Sequence, residues 1–472
     1  MTRALDLARL FNPRGIAVLG ASPDLNKIRG RILAALKNGG YAGRLVPVNP
    51  SHREVQGLPA VSAVRDLPGG IDLAIVAIPA DQVAAALNDC AAAGIGGAVV
   101  LSSGFAETGG AGIALQREVE RLARERGIAL LGPNSVGFLN KAAGITATFS
   151  PGGLAAPTRE IRHARRIAIA SQSGGLGFAL YNRGIARGLP FNLVVTTGNE
   201  AGVTCLDALD YALGLDDTGA VVMFVEGLRD GERLPGFSAR AAEKRVPLIV
   251  AKIGRSEAAA RAALSHTGSD TGDEAAYARL FDEAGVILGD DQDELLDLAA
   301  AFATSPLPEG PRVGIVTISG GAGAWLADRV AATGLSVPML DDATQADIRA
   351  VIPPYGTAVN PVDITAHALE IGGRIRAIEA LMRSPSVDAV AVAASLADVG
   401  HLRKEQGDLA RIAAEGRKPL LFYTYTMPSP DNLAALDEAG IACYTTLDGM
   451  ARGLAGLSAY AARRRSMRSD RR

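Results

Sequence analysis

The chain has 472 residues, 48% of them hydrophobic and 21% charged, enough for about three domains of ordinary size, each with its own core. Its formal charge of −2 argues against nucleic-acid binding, which usually depends on a basic face. The three cysteines, Cys90, Cys205 and Cys443, have neither metal-ligand spacing nor the density of a disulfide framework. They read as buried structural thiols in a reducing cytosol, and no metal site is expected. The start MTRALDLARLF lacks a signal-peptide pattern, and no run of about 18 apolar residues occurs, so a cytoplasmic protein without membrane contact is expected. The Arg-rich tail from Arg463 to Arg472 reads as a frayed, solvated terminus.

Short β-branched runs alternate with Ala/Leu-rich stretches of helical period, the pattern of parallel sheets wound with crossover helices. Strands are expected at 16–19, 45–48, 73–78, 98–101 and 129–131, with helices at 82–93 and 116–126. The stretch 149–165, rich in Gly, Pro and charge, reads as a linker. A second block follows with strands at 167–170, 193–196, 220–224 and 248–251 and a helix at 294–304. After the break SPLPEGP, a third block has strands at 313–318, 389–393 and 420–423 and a last helix at 454–462. The chain thus divides at 1–148, 149–306 and 307–472.

Each block opens as strand, glycine-rich turn and helix: LGAS at Leu19, SQSGG at Ser171 and SGGAG at Ser319. Glycine lets the backbone approach a phosphate, and the first amides of the next helix point at it. Plain chain reversal explains any one of these turns; three together favour at least one phosphate site.

In the first block a nicotinamide site fails two tests, since there is no G-x-G-x-x-G and the second strand ends PVNP with no carboxylate for a ribose diol. Lys27, Arg29 and Arg31 follow the turn instead, either as a helix's polar face or as partners of a phosphorylated nucleotide. The run IAVLGAS, VPVNP, IVAIPA, SSGFAETG and LGPNSVG resembles the CoA-binding domain of succinyl-CoA synthetase and acyl-CoA synthetases. The resemblance implies CoA, with Gly20, Ala21, Ser22 and Lys27 at the nucleotide, Asn49 and Pro50 closing its far side, and Ile78 and Pro79 lining it. Ser102, Gly104, Glu107 and Asn134 then lie toward the thiol. Ser51 stands where many relatives have lysine.

Of five histidines, His52, His163, His367 and His401 read as structural. His266 differs, because ALSHTGSDTG surrounds it with small and hydroxyl side chains that leave room for a phosphoryl group. A neutral imidazole attacking phosphorus gains from a carboxylate on its other nitrogen. Glu226, ending the apolar strand VVMFV, stands where strand ends face the crevice of an open sheet. SQSGG, TTGNEAG, VEGLRDG and SHTGS, in that order, resemble the alpha subunit of succinyl-CoA synthetase and, more closely, that of ADP-forming acetyl-CoA synthetase. By that resemblance His266 lies on a loop and is phosphorylated, Glu226 hydrogen-bonds it, and Ser171, Ser173 and Gly174 hold phosphate. Gly198 and Asn199 match the family's GN turn, and the following EAG departs from the commoner KAD.

TISGGAGAWLAD, NPVDITA and GIACYTT resemble the extra domain that the acetyl-type alpha subunits carry, where Ser319 and Gly320 either bind phosphate or turn the chain. The whole implies an α/β chain: an N-terminal Rossmann-like CoA-binding domain followed by two flavodoxin-like doubly wound domains. The expected function is the alpha subunit of an NDP-forming acyl-CoA synthetase, an acid–thiol ligase using CoA and phosphate through an acyl phosphate and a phosphohistidine. The three blocks leave no room for an ATP-grasp fold. A beta subunit with that fold is therefore expected to bind Mg-ADP or Mg-ATP, in an αβ or (αβ)2 assembly. A non-catalytic CoA-binding regulator or scaffold and a nicotinamide dehydrogenase are the rival readings. The carboxylic acid, the direction of reaction and the choice between ADP and GDP are not legible in these residues.

Overall fold

The computed structural model describes residues 5–267, 272–398 and 400–469. The first sheet is wholly parallel, in the order Arg44–Val48, Gly15–Leu19, Leu73–Val76, Gly97–Val100, Ala129–Leu131. Numbered along the chain this is 2-1-3-4-5, so the connections diverge between its first and third strands and open a crevice at their C-terminal ends. The strands fall where their β-branched runs predict. The helices Ala80–Ala92 and Gly110–Arg126 start earlier than expected, because their first turns, ADQ and GAGI, carry little apolar signal.

The second sheet runs Phe191–Thr196, Arg166–Ser171, Thr218–Val225, Leu248–Lys252 in parallel. Against the outer edge of Phe191–Thr196 lies an antiparallel hairpin, Gly137–Asn140 and Ile145–Thr148, for which the sequence carries no clear strand signal. Its strands are only four residues long, and Gly137 is needed there: at φ +102° a Cβ would stand 1.9 Å from the Ala147 carbonyl. The hairpin joins the first two sheets. Phe138 packs edge-on against Phe11, at 5.4 Å between ring centroids, and Asn140 Nδ2 donates to the Phe11 carbonyl at 2.8 Å. Tyr211 closes the other side of Phe11, so residues from both sheets share one apolar core. Residues up to 156, with 167–183 and 191–286, form this compact unit.

A second unit comprises residues 157–166, 184–190 and those from 287 onward. Its parallel sheet runs Val362–Asp363, Val313–Thr317, Ala389–Ala394, Leu420–Thr424, Cys443–Tyr444, again 2-1-3-4-5. The helix Gln292–Thr304 packs on the long helix Leu447–Ser469, with Phe302 edge-on to Tyr460 and Tyr444 Oη donating to the Asp297 carbonyl at 3.1 Å. Two expectations need correction here. Residues expected to fray from Arg463 continue that helix to Ser469, since Ala461, Ala462 and the arginines are good helix formers and Arg465 donates to the Pro308 carbonyl. The stretch 149–165 is no bare linker: Pro151–Leu154 is a helical turn, and Arg159 pairs with the nearly buried Asp437 at 2.5 Å.

The first and third sheets begin with the same clamp. Arg14 donates its backbone N–H, Nε and Nη2 to Asp72 at 2.8–2.9 Å, and Arg312 does the same to Asp388 at 2.7–3.1 Å. In each case the arginine precedes the first strand and the aspartate the third. The bidentate arginine holds Asp72 at about 2, below the ordinary 3.8, against the opposing effect of burial. Asp72→Asn should lower stability by about 2 kcal/mol. Because the folded pKa lies below the unfolded one, wild type should hold its full advantage above about pH 4 and lose it as pH falls toward 2. Urea titrations of both proteins across that range check this, and a gap independent of pH would refute it.

Candidate active site

The residues expected to meet CoA cluster at the C-terminal ends of the first sheet. After the strand Gly15–Leu19, Gly20 turns at φ +79°, where a Cβ would stand 2.7 Å from the Ala77 carbonyl, and its N–H donates to the Val48 carbonyl. Ala21 and Ser22 are buried behind it. Asn49 spans the crevice: Nδ2 donates to the Ala21 carbonyl at 2.7 Å, while Oδ1 accepts from the Ser51 amide and lies 3.3 Å from His52 Nδ1. Pro50 is exposed beside it. Lys27, at the start of the helix Ile28–Asn38, is exposed and only 3.8 Å from Asp24, a loose surface pair that leaves its ammonium accessible to an anion. Arg29 is exposed too, whereas the partly buried Arg31 has an Nε without a hydrogen-bond partner.

Ile78 and Pro79 follow the strand Leu73–Val76, and the Ser102 hydroxyl donates to the Ile78 carbonyl. The next residues form a tight polar knot. Glu107 accepts from the Gly104 amide at 2.6 Å, the Phe105 amide at 3.2 Å and Asn199 Nδ2 at 2.6 Å. Burial would raise this carboxyl, but those donors outweigh it and hold it below the usual range. Asn199 Nδ2 also reaches Gln116 Oε1, and its Oδ1 accepts from Asn134 Nδ2 at 3.3 Å. Asn134, at φ +60°, donates its backbone N–H to the Ser102 carbonyl. Ser102, Gly104, Glu107, Asn134 and Asn199 thus meet at one place.

In the second sheet, Ser171 ends its strand, and its hydroxyl donates to the Ser173 carbonyl at 2.7 Å. The helix Gly174–Ala186 starts there, and only glycine fits at its first position, because a Cβ on Gly174 would stand 2.1 Å from Val136 Cγ2. Glu226 follows the strand Thr218–Val225 and is buried, with 6% of its surface exposed. One side chain ties these two segments together. Gln172 accepts the Glu226 and Gly227 amides through Oε1, at 2.7 and 3.3 Å, and donates Nε2 to the Gly227 carbonyl and to Glu200. Gln172 and Glu200 are not among the residues singled out above. Their positions inside SQSGG and TTGNEAG are the only signal the sequence offers.

His266 lies in the helix Glu257–Thr267, which corrects the expectation of a loop: EAAARAAL has strong helix propensity, and it carries the helix through the small residues after it. The His266 side chain and residues 268–271 lie outside the described residues, and so does the contact with Glu226 expected for it. In the second unit, Ser319 precedes the helix Gly320–Ala332, with its carbonyl accepting from the Thr317 hydroxyl and its N–H donating to it. A Cβ on Gly320 would lie 3.0 Å from Asp363 Oδ2, so a carboxylate already stands at that helix start. Among the described residues no group of three or more His, Cys, Asp or Glu is arranged to hold a metal ion.

Three family models match the chain: a CoA binding domain over residues 14–141, a succinyl-CoA ligase like flavodoxin domain over 164–302, and a ligase-CoA domain over 313–392. The acetate–CoA ligase [ADP-forming] II subunit alpha of Pyrococcus furiosus is 33% identical over 439 residues, covering 92% of this chain and 93% of its own. The acetate–CoA ligase [ADP-forming] I of Archaeoglobus fulgidus is 35% identical over 77% of this chain, which spans only 51% of that longer protein. Among solved structures, the dinucleotide-forming acetyl-coenzyme A synthetase 1 of Ca. Korarchaeum cryptofilum, in complex with phosphate and ADP, superposes with a TM-score of 0.86 at 33% identity. The match covers 98% of this chain and 99% of that one.

The knot at Asn199 makes a direct prediction. Asn199→Ala strips a donor from both Glu107 and Gln116 and should cost about 1–3 kcal/mol of stability. Asn199→Asp, which sets a second carboxylate against Glu107, should cost more. Urea unfolding of the two variants checks the order, and an Asp variant as stable as wild type would refute it.

Proposed function

The chain belongs to the family of ADP-forming acetate–CoA ligase alpha subunits, and from that membership we propose how its own residues divide the work. As an alpha subunit of an NDP-forming acyl-CoA synthetase it takes part in interconverting acyl-CoA, phosphate and NDP with carboxylic acid, CoA and NTP. We assign residues 1–148 to CoA, 149–306 to phosphoryl transfer and 307–472 to a second flavodoxin-like domain.

CoA lies across the crevice of the first sheet. Gly20, Ala21, Ser22 and Lys27 meet its phosphorylated nucleotide, Asn49 and Pro50 close the far side, and Ile78 and Pro79 line the middle. Ser102, Gly104, Glu107 and Asn134 face the thiol end. Phosphate attacks the thioester carbonyl there, the carbon–sulfur bond breaks, and the thiolate leaves to take a proton, giving acyl phosphate. A ring nitrogen of His266 then attacks phosphorus, and the carboxylate departs with the electrons of the broken phosphorus–oxygen bond. Glu226 fixes the ring's tautomer through the other nitrogen and stabilises the cation formed. Ser171, Ser173 and the helix start at Gly174 hold the phosphoryl oxygens. Ser319 and Gly320 form a second, weaker cradle, because Asp363 shares it.

The observation that carries this reading is the buried Glu226 tied through Gln172 to the SQSGG turn, a carboxylate and an anion cradle held in one frame. His266→Ala should abolish covalent labelling by a radioactive acyl phosphate. Glu226→Gln should leave CoA binding intact and slow labelling by about 10²-fold. Label persisting on the alanine variant would sink the assignment of His266.

The last transfer, from His266 to NDP, requires a nucleotide site, and we assign Mg-ADP or Mg-ATP to an ATP-grasp beta subunit in an αβ or (αβ)2 assembly. Support comes from lengths: the Archaeoglobus relative extends to about twice the part this chain matches. No helix among the described residues is long and apolar enough to cross a membrane, and we place the enzyme in the cytoplasm. The purified chain alone should accept label from an acyl phosphate yet fail to make thioester from ATP, carboxylic acid and CoA until the partner is added. ATP-dependent thioester formation by the single chain would refute the partner requirement.

A further inference from the structure

The phosphoryl transfer proposed above does not explain why the Glu200 carboxylate is buried beside the SQSGG turn, with no cation paired to it among the described residues. Glu200 is 5% exposed and sits in the left-handed region at φ +54°, where a non-glycine residue is strained. Three neutral donors surround its carboxylate: the Thr197 hydroxyl at 2.9 Å, the Cys205 amide at 2.8 Å and Gln172 Nε2 at 2.8 Å. Burial nevertheless raises its pKa above the ordinary value, so holding a charge there carries a cost.

That cost has a geometric return. An amide free to flip would offer either its oxygen or its nitrogen to the chain at 226–227. As a carboxylate Glu200 only accepts, and its three donor partners suit that form, so it fixes the Gln172 nitrogen toward itself and the oxygen toward the Glu226 and Gly227 amides. Gln172 Nε2 also donates to the Gly227 carbonyl at 2.7 Å, and its own backbone N–H donates to the Phe224 carbonyl. The chain from Phe224 to Gly227 is thereby held at four points by one residue. Thr197 and Cys205, which bind the far oxygen of Glu200, belong to a different strand end and helix, so the frame is braced from both sides.

We propose that Gln172 and Glu200 are a pair of positioning residues that set the direction in which Glu226 presents its carboxylate to the phosphorylated histidine. The pair touches no reacting atom and acts through the Glu226 backbone. This rests on the reading of Glu226 and His266 given above, and deepens it.

The test measures transfer of label from a radioactive acyl phosphate to the full chain, together with CoA affinity by calorimetry. Gln172→Leu should slow labelling by about tenfold to a hundredfold, with the KM for acyl phosphate and the Kd for CoA changed less than about twofold. Gln172→Glu should be similarly slow, since it turns two carboxylates toward each other. Adding Glu200→Gln to Gln172→Glu restores a donor facing an acceptor in the opposite sense and keeps an acceptor for the Glu226 amide, but leaves the Gly227 carbonyl without its donor, so labelling should recover at least about threefold over Gln172→Glu alone without reaching wild type. Wild-type labelling by Gln172→Leu overturns the proposal. So does a double variant that binds CoA normally but stays as slow as Gln172→Glu alone. If wild type itself takes no label on His266, the phosphohistidine reading fails first, which separates that failure from this one.

Discussion

A single asparagine side chain governs how the first two sheets work together. Asn199 projects from the turn after the strand Phe191–Thr196 and satisfies Glu107 and Gln116 of the first sheet while accepting from Asn134. All four groups are wholly or partly withdrawn from water, so any shift of one sheet against the other leaves an unpaired polar group, and such groups are expensive. The apolar contact of Phe11 with Phe138 and Tyr211 supplies attraction without direction. The asparagine supplies the direction. The loop at the proposed thiol end and the turn beside the proposed phosphate cradle therefore keep a fixed relation, which the proposed passage of a phosphoryl group between them requires.

The next residue carries the same logic one step further. Glu200 follows Asn199 directly and faces the opposite way, toward Gln172 and Glu226. Two adjacent residues in one turn thus reach the proposed CoA loop on one side and the proposed histidine partner on the other. The strained backbone at Glu200 allows neighbouring side chains to diverge so sharply, and strain of this kind persists where the surroundings over-determine it.

The parts legible in the sequence are those whose signal is local. β-Branched runs mark the parallel strands because each is buried on both faces. Glycine-rich turns mark the passages from strand to helix because only glycine tolerates the contacts seen at Gly20 and Gly174. His266 stands out from the other histidines by its small neighbours, yet the same neighbours misled on the backbone, which helix propensity carries through to Thr267. The hairpin 137–148 escaped because its strands are four residues long and gain their stability from an edge supplied by residues some fifty positions later. Gln172 escaped for a related reason. An amide in a motif shows what it can bond, while its partners, up to 55 residues away, are chosen by tertiary approach.

The twin clamps, Arg14 with Asp72 and Arg312 with Asp388, stand where strands begin, at the edge of each sheet opposite the glycine-rich turns. Anchorage and the proposed chemistry are therefore divided between opposite rims of the same layer. A chain built this way can exchange residues along its reactive rim, to accommodate a bulkier or more polar acid, without loosening the joint that keeps its strands in register. The same division suits a scaffold that diversifies by substrate while conserving its frame, and it marks the clamp residues as poor targets for altering specificity and good ones for altering heat resistance.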